Sequence, residues 1–290
     1  MKESKVGIII SSYNQKKLVQ ENIKKLGKTR YKNYRIYFVD DSGEGKISRK
    51  ISKRFPKVKI IVNSKNLGFS KSYNKGLKIA KKRYNPEWFL ILNDDCELRD
   101  KNWLKNILKK TKEYPSAGIF GCKIIYPDGS LQWGLKNKKN YFYQNPGIKD
   151  KGSSFSEDGK TTEVLGAFMF IHKKVLQKVG YFDEKFSPFY GEESDLCLRA
   201  RKKGYDIMYL GSISLIHHRN KSISKFSKEK IWFIRKKHSI RLEWKHYSFF
   251  KIIYYTLVHF GSIFKADNIG ILKKLNLLIK AYITNLKDFK

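Results

Sequence analysis

The sequence "VGIIISSYN" at residues 6–14 decides the fold of this chain, because a short apolar run passes directly into polar side chains. Three further apolar runs follow within the first hundred residues, at 34–39, 58–62 and 88–92, and polar, helix-permissive sequence separates them. Near-continuous apolar runs of about five residues between helical segments are typical of a buried parallel sheet. The sequence therefore predicts an α/β fold, with a mostly parallel sheet flanked by helices.

Each predicted strand ends in a cluster of polar residues. A single cluster of this kind is more often a helix N-cap, and Asp41 or Ser42 alone would be interpreted so. In open α/β sheets, however, ligands bind beyond the carboxyl ends of the strands. Four clusters at that edge therefore favour a binding rim, made of Ser11 to Asn14, Asp40 to Ser42, Asn63 to Gly68, and Asn93 to Asp95.

The composition is strongly basic, with 62 Lys and Arg against 26 Asp and Glu and a formal net charge of +36 over 290 residues. Nucleic acid, an anionic membrane surface and phosphorylated substrates all attract such a protein. The lysines are spread along nearly the whole chain, which equally fits solvated faces, so charge alone does not decide between these partners. Three scattered cysteines and no secretory pattern at residues 1–10 predict a reducing compartment, the cytoplasm.

The usual phosphate-binding loops do not occur in the sequence. "GEGKIS", after the second predicted strand, lacks the third glycine of a dinucleotide fingerprint, and no P-loop pattern is found. If a diphosphate binds here, a divalent cation held by carboxylates is the expected clamp. The adjacent Asp94 and Asp95 would repel each other unless a cation lay between them. Mg²⁺ or Mn²⁺ is therefore the predicted cofactor.

A second dense pattern spans residues 163–210. The stretch "GEESDLCLRARKKG" predicts an acidic loop leading into a helix that ends at Gly204, with Ser194 or Asp195 as its N-cap. Two interpretations of Glu192 and Glu193 stay open at this point. They favour the positive end of a helix dipole, or one of them is a general base beside the metal.

Taken in order, these motifs resemble a known family. "SSYN", "VDDSG", "NLGFSKSYNKG", "LNDD", "VLGAFMF", "VGYFDEKFSPFYGEESDLCLR" and "IHH" are similar to the motifs of family 2 glycosyltransferases of the GT-A fold, closest to the rhamnosyltransferase-like branch. The resemblance covers roughly residues 5–220. It implies a Rossmann-like catalytic domain, assigned to residues 1–218, and an inverting, metal-dependent transfer from a nucleotide-diphosphate sugar to a glycan or lipid-linked acceptor in surface polysaccharide synthesis.

The resemblance also implies roles for individual residues. Glu193 matches the catalytic base, with Glu192 the second candidate. Asp95 matches the principal metal ligand, and His217 a further one, with His218 as the fallback. Asn93 stands where the family has the first Asp of its D-x-D motif. The residues expected at the nucleotide sugar are Ser11, Tyr13, Asp40, Asn66, Gly68, Asn74, Asn93 and Asp94. The stretch 126–162 is expected to help choose donor and acceptor.

The character of the sequence changes from Arg219 onward. Residues 219–290 are basic and rich in aromatics, and the apolar stretch 248–264 is shorter than a spanning helix requires. A helix on an anionic membrane surface and a helical hairpin packed on the catalytic domain or on a second subunit both fit. The first would place the protein on the inner face of the cell membrane. Two other function classes remain: an inactive relative that binds a nucleotide sugar, and a nucleic-acid binder, which the acidic rim disfavours.

Overall fold

The computed structural model describes residues 3–135, 142–143, 155–218, 226–265 and 268–289. Within them the strands are β1 (Val6–Ser12), β2 (Tyr34–Asp40), β3 (Lys59–Val62), β4 (Trp88–Asn93), β5 (Cys96–Glu97), β6 (Ala117–Ile125), β7 (Leu131–Leu135), β8 (Phe142–Tyr143), β9 (Gly159–Thr161), β10 (Phe168–His172) and β11 (Asp206–His217). The helices are α1 (Lys16–Leu26), α2 (Lys46–Arg54), α3 (Phe69–Tyr84), α4 (Trp103–Glu113), α5 (Lys173–Val179), α6 (Glu192–Lys202), α7 (Lys228–His246), α8 (Phe249–Gly261) and α9 (Ile271–Phe289).

The central sheet has the strand order β3-β2-β1-β4-β10-β6-β11-β5. The first four strands are mutually parallel, as are β6 and β11, whereas β10 runs antiparallel between β4 and β6. The predicted α/β fold with a mostly parallel sheet is confirmed. The four apolar runs of the first hundred residues are its first four strands.

The sheet is buried because helices cover it closely. Helix α3 packs on β1 and β2, and this approach depends on Gly76. A Cβ at that position would lie 2.5 Å from Ile9 Cγ2, closer than side chains can approach. Gly76 therefore permits the short distance between α3 and β1, the strand that ends in the polar residues of the rim.

The strand ends meet at one edge, as the sequence predicts. Ser12 at the end of β1 is in register with Asp40 of β2, and Ser11 is in register with Asn93 of β4. Three of the four polar clusters therefore begin on neighbouring strands, and Asn63 joins them through its backbone N–H, which donates to the Asp40 carbonyl at 2.9 Å.

The predicted start of α6 is wrong. The helix begins at Glu192, after Gly191 in a left-handed conformation with φ 93°, so neither Ser194 nor Asp195 caps it. The Asp195 N–H donates to the Gly191 carbonyl at 2.9 Å inside the first turn. The left-handed glycine ends the preceding loop abruptly, and both glutamates consequently lie on the first turn of the helix.

The C-terminal region is helical, and α7 is fixed to the preceding fold by ion pairs. Asp183 accepts from Arg241 and Lys245, both at 2.7 Å. The buried carboxylate of Asp195 accepts from Lys245 at 2.6 Å and from His246 at 2.9 Å, and Arg199 contacts its other oxygen at 2.8 Å. Burial acts to raise the pKa of Asp195, but these partners, His246 first, hold it well below its usual range.

Candidate active site

Asp95 and His217 meet at the end of the sheet. The short strand β5 pairs antiparallel with the end of β11, which sets Cys96 opposite His217. The His217 Nε2 and Asp95 Oδ1 atoms lie 3.1 Å apart. One potential ligand atom from each of Asp95, Cys96 and His217 falls within 4.8 Å of the others. The two residues that the family resemblance marks as metal ligands are thus in contact, although they are distant in sequence.

This pair fits a divalent cation that keeps open positions. Two ligands bound at right angles, each about 2.1 Å from the ion, stand about 3 Å apart, as these two do. A carboxylate oxygen and an imidazole suit Mn²⁺, whereas a thiolate would favour softer metals. Burial raises the pKa of Cys96 well above its usual range, and its thiol donates to the Ala167 carbonyl at 3.5 Å. The thiol is therefore held in its neutral form, which leaves Asp95 and His217 as the residues that could hold such an ion.

Gln132 orients the histidine. The Oε1 atom of Gln132, on β7, lies 2.9 Å from His217 Nδ1. With Gln132 Oε1 accepting from Nδ1–H, Nε2 is the ring nitrogen that faces Asp95. A metal ion held between Nε2 and the carboxylate fits this arrangement, in which a second residue orients a metal-binding histidine.

Asp94 lies on the other side of the turn after β4. Its Oδ2 accepts a short hydrogen bond from the Ser12 hydroxyl. Burial, together with the neighbouring charge of Asp95, raises the pKa of Asp94 to about 7. Asp94 therefore links β1 to β4, and its charge depends on what neutralises Asp95.

The two glutamates of α6 are both buried acids, in different surroundings. Oε2 of each lacks a hydrogen-bond partner within the part of the chain that the structure describes. Glu192 is only 3% exposed, and burial raises its pKa well above the usual range. Glu193 is half-buried, and burial with the nearby charge of Glu163 raises its pKa to about 7. A carboxylate with a pKa near neutrality can exchange a proton at physiological pH.

A chain of contacts connects Glu193 to the aspartate turn. A Cβ on Gly166 would lie 3.9 Å from Glu193 Cδ. The carbonyl of the next residue, Ala167, accepts from the Asn93 N–H at 3.1 Å and from the Cys96 thiol. The loop before β10 is therefore the common neighbour of Glu193 and of the residues on both sides of Asp94 and Asp95.

The Asp40-Asp41 loop is held together by its own carboxylates. Asp40 accepts from the N–H and hydroxyl groups of Ser42 and of Ser48, at 2.6–3.1 Å. Burial opposes ionisation, but these bonds outweigh it and lower the pKa of Asp40. Asp41 accepts from the Leu67 and Gly68 N–H groups at 2.9 and 3.1 Å. Each carboxylate therefore fixes a loop of the rim.

Gly68 is required by a protein neighbour. Its φ is +77°, a conformation that favours glycine, and a Cβ there would lie 3.0 Å from the backbone of Pro188. Its N–H donates to two acceptors, Asn66 Oδ1 at 2.9 Å and Asp41 Oδ2 at 3.1 Å. The close approach at Gly68 is made by the loop that precedes α6, so the two halves of the site touch there.

Of the remaining predicted residues, some have side chains that are hydrogen-bonded within the protein, and others have side chains exposed to solvent. Asn74 is buried and bridges to Phe182 and Glu184 at 2.9–3.1 Å. Asn93 receives the Tyr73 hydroxyl at 3.4 Å on its side chain. Ser11 is half-buried, and Tyr13 is 40% exposed just beyond β1. The His218 ring lies 3.6 Å from Glu97 and its backbone N–H donates to the Asp95 carbonyl at 3.0 Å, so His217 is the histidine whose ring contacts the Asp95 carboxylate.

Several residues of the site carried no usable sequence signal. Ser12, Cys96, Gln132 and Glu163 act through contacts with residues far away along the chain. Glu163 accepts a short hydrogen bond from the Ser194 hydroxyl, which brings a third acid close to Glu193. Of the stretch 126–162, residues 136–141 and 144–154 lie outside the described residues.

Comparison with known proteins agrees with this architecture. The sequence profile described as "Glycosyl transferase family 2" matches residues 7–180. The chain belongs to glycosyl transferase family 2. The match includes the rim clusters of β1, β2 and β4 and ends shortly before α6, which carries Glu193.

Two relatives are 22–28% identical to the chain over the residues that align. It is 28% identical over 151 residues to the O-antigen biosynthesis protein RfbC of Myxococcus xanthus, covering 49% of this chain and 12% of that protein. It is 22% identical over 187 residues to an N-acetylglucosaminyl-diphospho-decaprenol L-rhamnosyltransferase of Mycobacterium tuberculosis, covering 57% of this chain and 60% of that enzyme. The chain thus spans less than two thirds of either relative.

Solved structures show the fold. A mannosyltransferase of Pyrobaculum calidifontis, solved with GDP-Man and Mn²⁺, superposes with a TM-score of 0.57 at 15% identity, covering 97% of this chain and 70% of that one. The family 2 member described here therefore has the GT-A fold.

Proposed function

We propose that this chain is an inverting, metal-dependent glycosyltransferase that moves a sugar from a nucleotide-diphosphate donor to a hydroxyl of a glycan or lipid-linked acceptor in surface polysaccharide synthesis. The observation that carries the proposal is the pairing of Asp95 with His217 at 3.1 Å beside a loop that also contacts Glu193. This arrangement supplies the two functions that transfer needs, a holder for the diphosphate and a base for the acceptor.

Asp95 and His217 would hold Mg²⁺ or Mn²⁺. When bound, the cation neutralises the charge that develops on the departing nucleoside diphosphate. Two protein ligands leave positions for phosphate oxygens and water, as such sites usually do. Asp94, with its pKa raised to about 7, and the hydroxyl of Ser12 would support the turn from behind.

Glu193 would take the proton from the acceptor hydroxyl. The acceptor oxygen then forms a bond to the anomeric carbon from the face opposite the leaving group, which inverts the configuration. The bond between the anomeric carbon and the phosphate oxygen breaks, and its electron pair leaves with the nucleoside diphosphate. Glu192, more deeply buried, would remain protonated and keep a second negative charge away from this position.

The nucleotide would lie along the rim of β1 and β2. The exposed ring of Tyr13 can stack on the base, and Ser11 lies beside it on β1. Asp40 already accepts four hydrogen bonds and Asn74 is fully engaged. For these two, and for Asn66 and Gly68, the proposal is that they shape the loops around the nucleotide.

A panel of nucleotide sugars tests the function as a whole. Thermal shift and donor hydrolysis with Mn²⁺ should identify one nucleotide sugar that stabilises the protein and is slowly hydrolysed. Binding without any hydrolysis or transfer would favour an inactive relative. Binding of single-stranded nucleic acid in EDTA, with no response to any nucleotide sugar, would favour the nucleic-acid class.

The role of Gln132 gives a test that does not depend on transfer. Gln132→Leu removes the acceptor for His217 Nδ1, so we expect Mn²⁺ affinity to fall about 10–100-fold. Isothermal calorimetry with Mn²⁺ alone measures this. Gln132→Glu, which keeps an acceptor oxygen and adds a negative charge, serves as the matched control and should bind Mn²⁺ at least as tightly as the parent. Equal affinity in all three proteins would contradict the positioning role.

We also propose that α8 places the enzyme on an anionic membrane surface. Its large apolar side chains face solvent, with Phe249, Phe250 and Leu257 each 68–82% exposed. Contiguous apolar surface of this kind marks an interaction site, and the strongly basic chain suits anionic headgroups. Among the described residues, no helix is both long and apolar enough to cross a bilayer.

Flotation with anionic liposomes tests this surface. Replacing Phe250 and Leu257 with Ser should reduce partitioning about 100-fold, because each apolar side chain contributes about 1.5 kcal/mol when it leaves water. Val62→Ser, which alters an exposed side chain on β3, is the control and should float like the parent. A double variant that floats equally well would remove α8 from the interface.

A further inference from the structure

A basic cavity lies between the first half of α7 and the segment before α9. It has a volume of about 350 Å³ and is lined by Lys228, Ile231, Trp232, Arg235, Asn268 and Ile269. Two of these side chains are cations, one is an indole, and none of the described lining residues is acidic. The neighbouring Glu229 pairs with Lys273 at 3.0 Å. The cavity therefore presents two positive charges, those of Lys228 and Arg235, to an anionic ligand small enough to fit its volume.

Arg235 connects this cavity to the loop that carries the glutamates. Its guanidinium lies 5.1 Å from the ring centre of Tyr190, and its Nη2 is 3.4 Å from the Tyr190 hydroxyl. Tyr190 itself has a left-handed φ of 76° and is followed by Gly191, at the start of α6. Arg235, on one wall of the cavity, thus contacts a residue that lies three positions before Glu193 in the sequence.

The segment that forms the other wall is flanked in the sequence by exposed apolar side chains. Phe264 is 74% exposed, Ile271 54% and Leu272 77%, and all three lie within five residues of Asn268 or Ile269 in the sequence. Exposed apolar side chains therefore flank one wall of the cavity in the sequence, and Arg235 on the other wall contacts Tyr190. A molecule with an apolar chain, an anionic group and a sugar hydroxyl has the three chemical parts that such surfaces would contact.

We propose that this cavity binds the diphosphate of a lipid-linked acceptor. Lys228 and Arg235 would contact the phosphate oxygens through charge-assisted hydrogen bonds, and Trp232 would contact the first carbons of the lipid. The lipid chain would pass over Phe264 and Leu272, and the sugar would extend past Tyr190 towards Glu193. The inference rests on the proposed function for its lipid-linked acceptor and adds the subsite that recognises the diphosphate.

Binding of farnesyl diphosphate tests the subsite directly. Calorimetry in EDTA, below the concentration at which the lipid forms micelles, excludes binding through a metal at the donor site. We expect Lys228→Gln/Arg235→Gln to bind at least tenfold more weakly, and Lys228→Gln alone, which touches no catalytic loop, to be intermediate. Lys53→Gln/Lys59→Gln, which removes the same charge from α2 and β3, should bind like the parent.

Three competing ligands identify what is recognised. Pyrophosphate should compete weakly, farnesol should not compete, and vesicles of anionic phospholipid should not displace the ligand. No binding to the parent protein, equal binding by the Lys228/Arg235 variant, or equal competition by farnesol would overturn the proposal. Mn²⁺-dependent binding of a nucleotide sugar is measured in parallel. Absence of this binding in the parent protein would defeat the proposed function, whereas Lys228→Gln should leave it unchanged.

Discussion

Glu193→Gln should abolish glycosyl transfer while leaving nucleotide-sugar binding nearly intact. The substitution keeps the size and polarity of the side chain but removes the group that accepts the proton of the acceptor hydroxyl. General bases contribute about 10²–10⁴-fold to rate, and we expect a loss of about 10³-fold. Transfer is measured by release of the nucleoside diphosphate in the presence of acceptor, and donor binding by calorimetry.

Glu192→Gln is the matched control, because it changes the neighbouring acid on the same helical turn. Its burial already favours the protonated form, so the amide should replace it at little cost in rate. Full transfer by the Glu193 variant, or an equal loss in both variants, would remove Glu193 from the role of base.

The pH dependence follows from the raised pKa of about 7 at Glu193. Only the ionised carboxylate accepts a proton, so transfer should rise with pH through about 7 and level off above it. Saturating Mn²⁺ is needed, because Asp94 has a similarly raised pKa when no cation neutralises its neighbour. Asp94→Asn should keep the same midpoint, which assigns the titration to Glu193.

Asp95→Asn should remove metal-dependent donor binding. The variant exchanges a charged ligand oxygen for a neutral amide and leaves His217 without its anionic partner. We expect Mn²⁺ affinity to fall by more than 100-fold and transfer by about 10³-fold, since the cation no longer offsets charge on the leaving group. Calorimetry with Mn²⁺, with and without the donor nucleotide, checks both.

Asp100→Asn controls for the loss of one charge nearby. Asp100 accepts from Asn102 and Asn106 on the surface, and an amide oxygen can take over one of these bonds. This variant should bind Mn²⁺ and donor like the parent. Unchanged Mn²⁺ affinity in Asp95→Asn would show that the pair with His217 is not a metal site.

The strands and their polar ends could be predicted because both depend on local pattern. A strand buried on both faces has to be apolar throughout, so "VGIII" and "WFLIL" indicate position in the sheet as well as structure. The order of β10 between β4 and β6 could not be predicted in this way. It depends on which strand edges meet after the chain has folded.

The role of a residue could be predicted where the residue belongs to a recognisable sequence motif. It could not be predicted where the role depends on a contact with a residue distant in the sequence. The contact of Asp95 with His217 follows from the pairing of β5 with β11, in which Cys96 lies opposite His217, and no local pattern specifies that pairing. Gln132 reaches His217 from another strand for the same reason. The predicted N-cap of α6 failed because a left-handed Gly191 ended the loop earlier than polar side chains suggested.

Helix α7 lies between the loop that leads into α6 and helix α8. One side contacts Phe189, Asp183 and Asp195, and another holds α8 through the pair of Glu243 with His259 at 3.0 Å. Packed helices stand about 8–10 Å apart, so a protein seated by α8 would carry its reactive carboxylate at a fixed height of roughly two such layers above the lipid plane. The enzyme would then select acceptors by the distance between their terminal sugar and the bilayer. Acceptors whose terminal sugar lies nearer to the bilayer than the carboxylate, or farther from it, would not be modified.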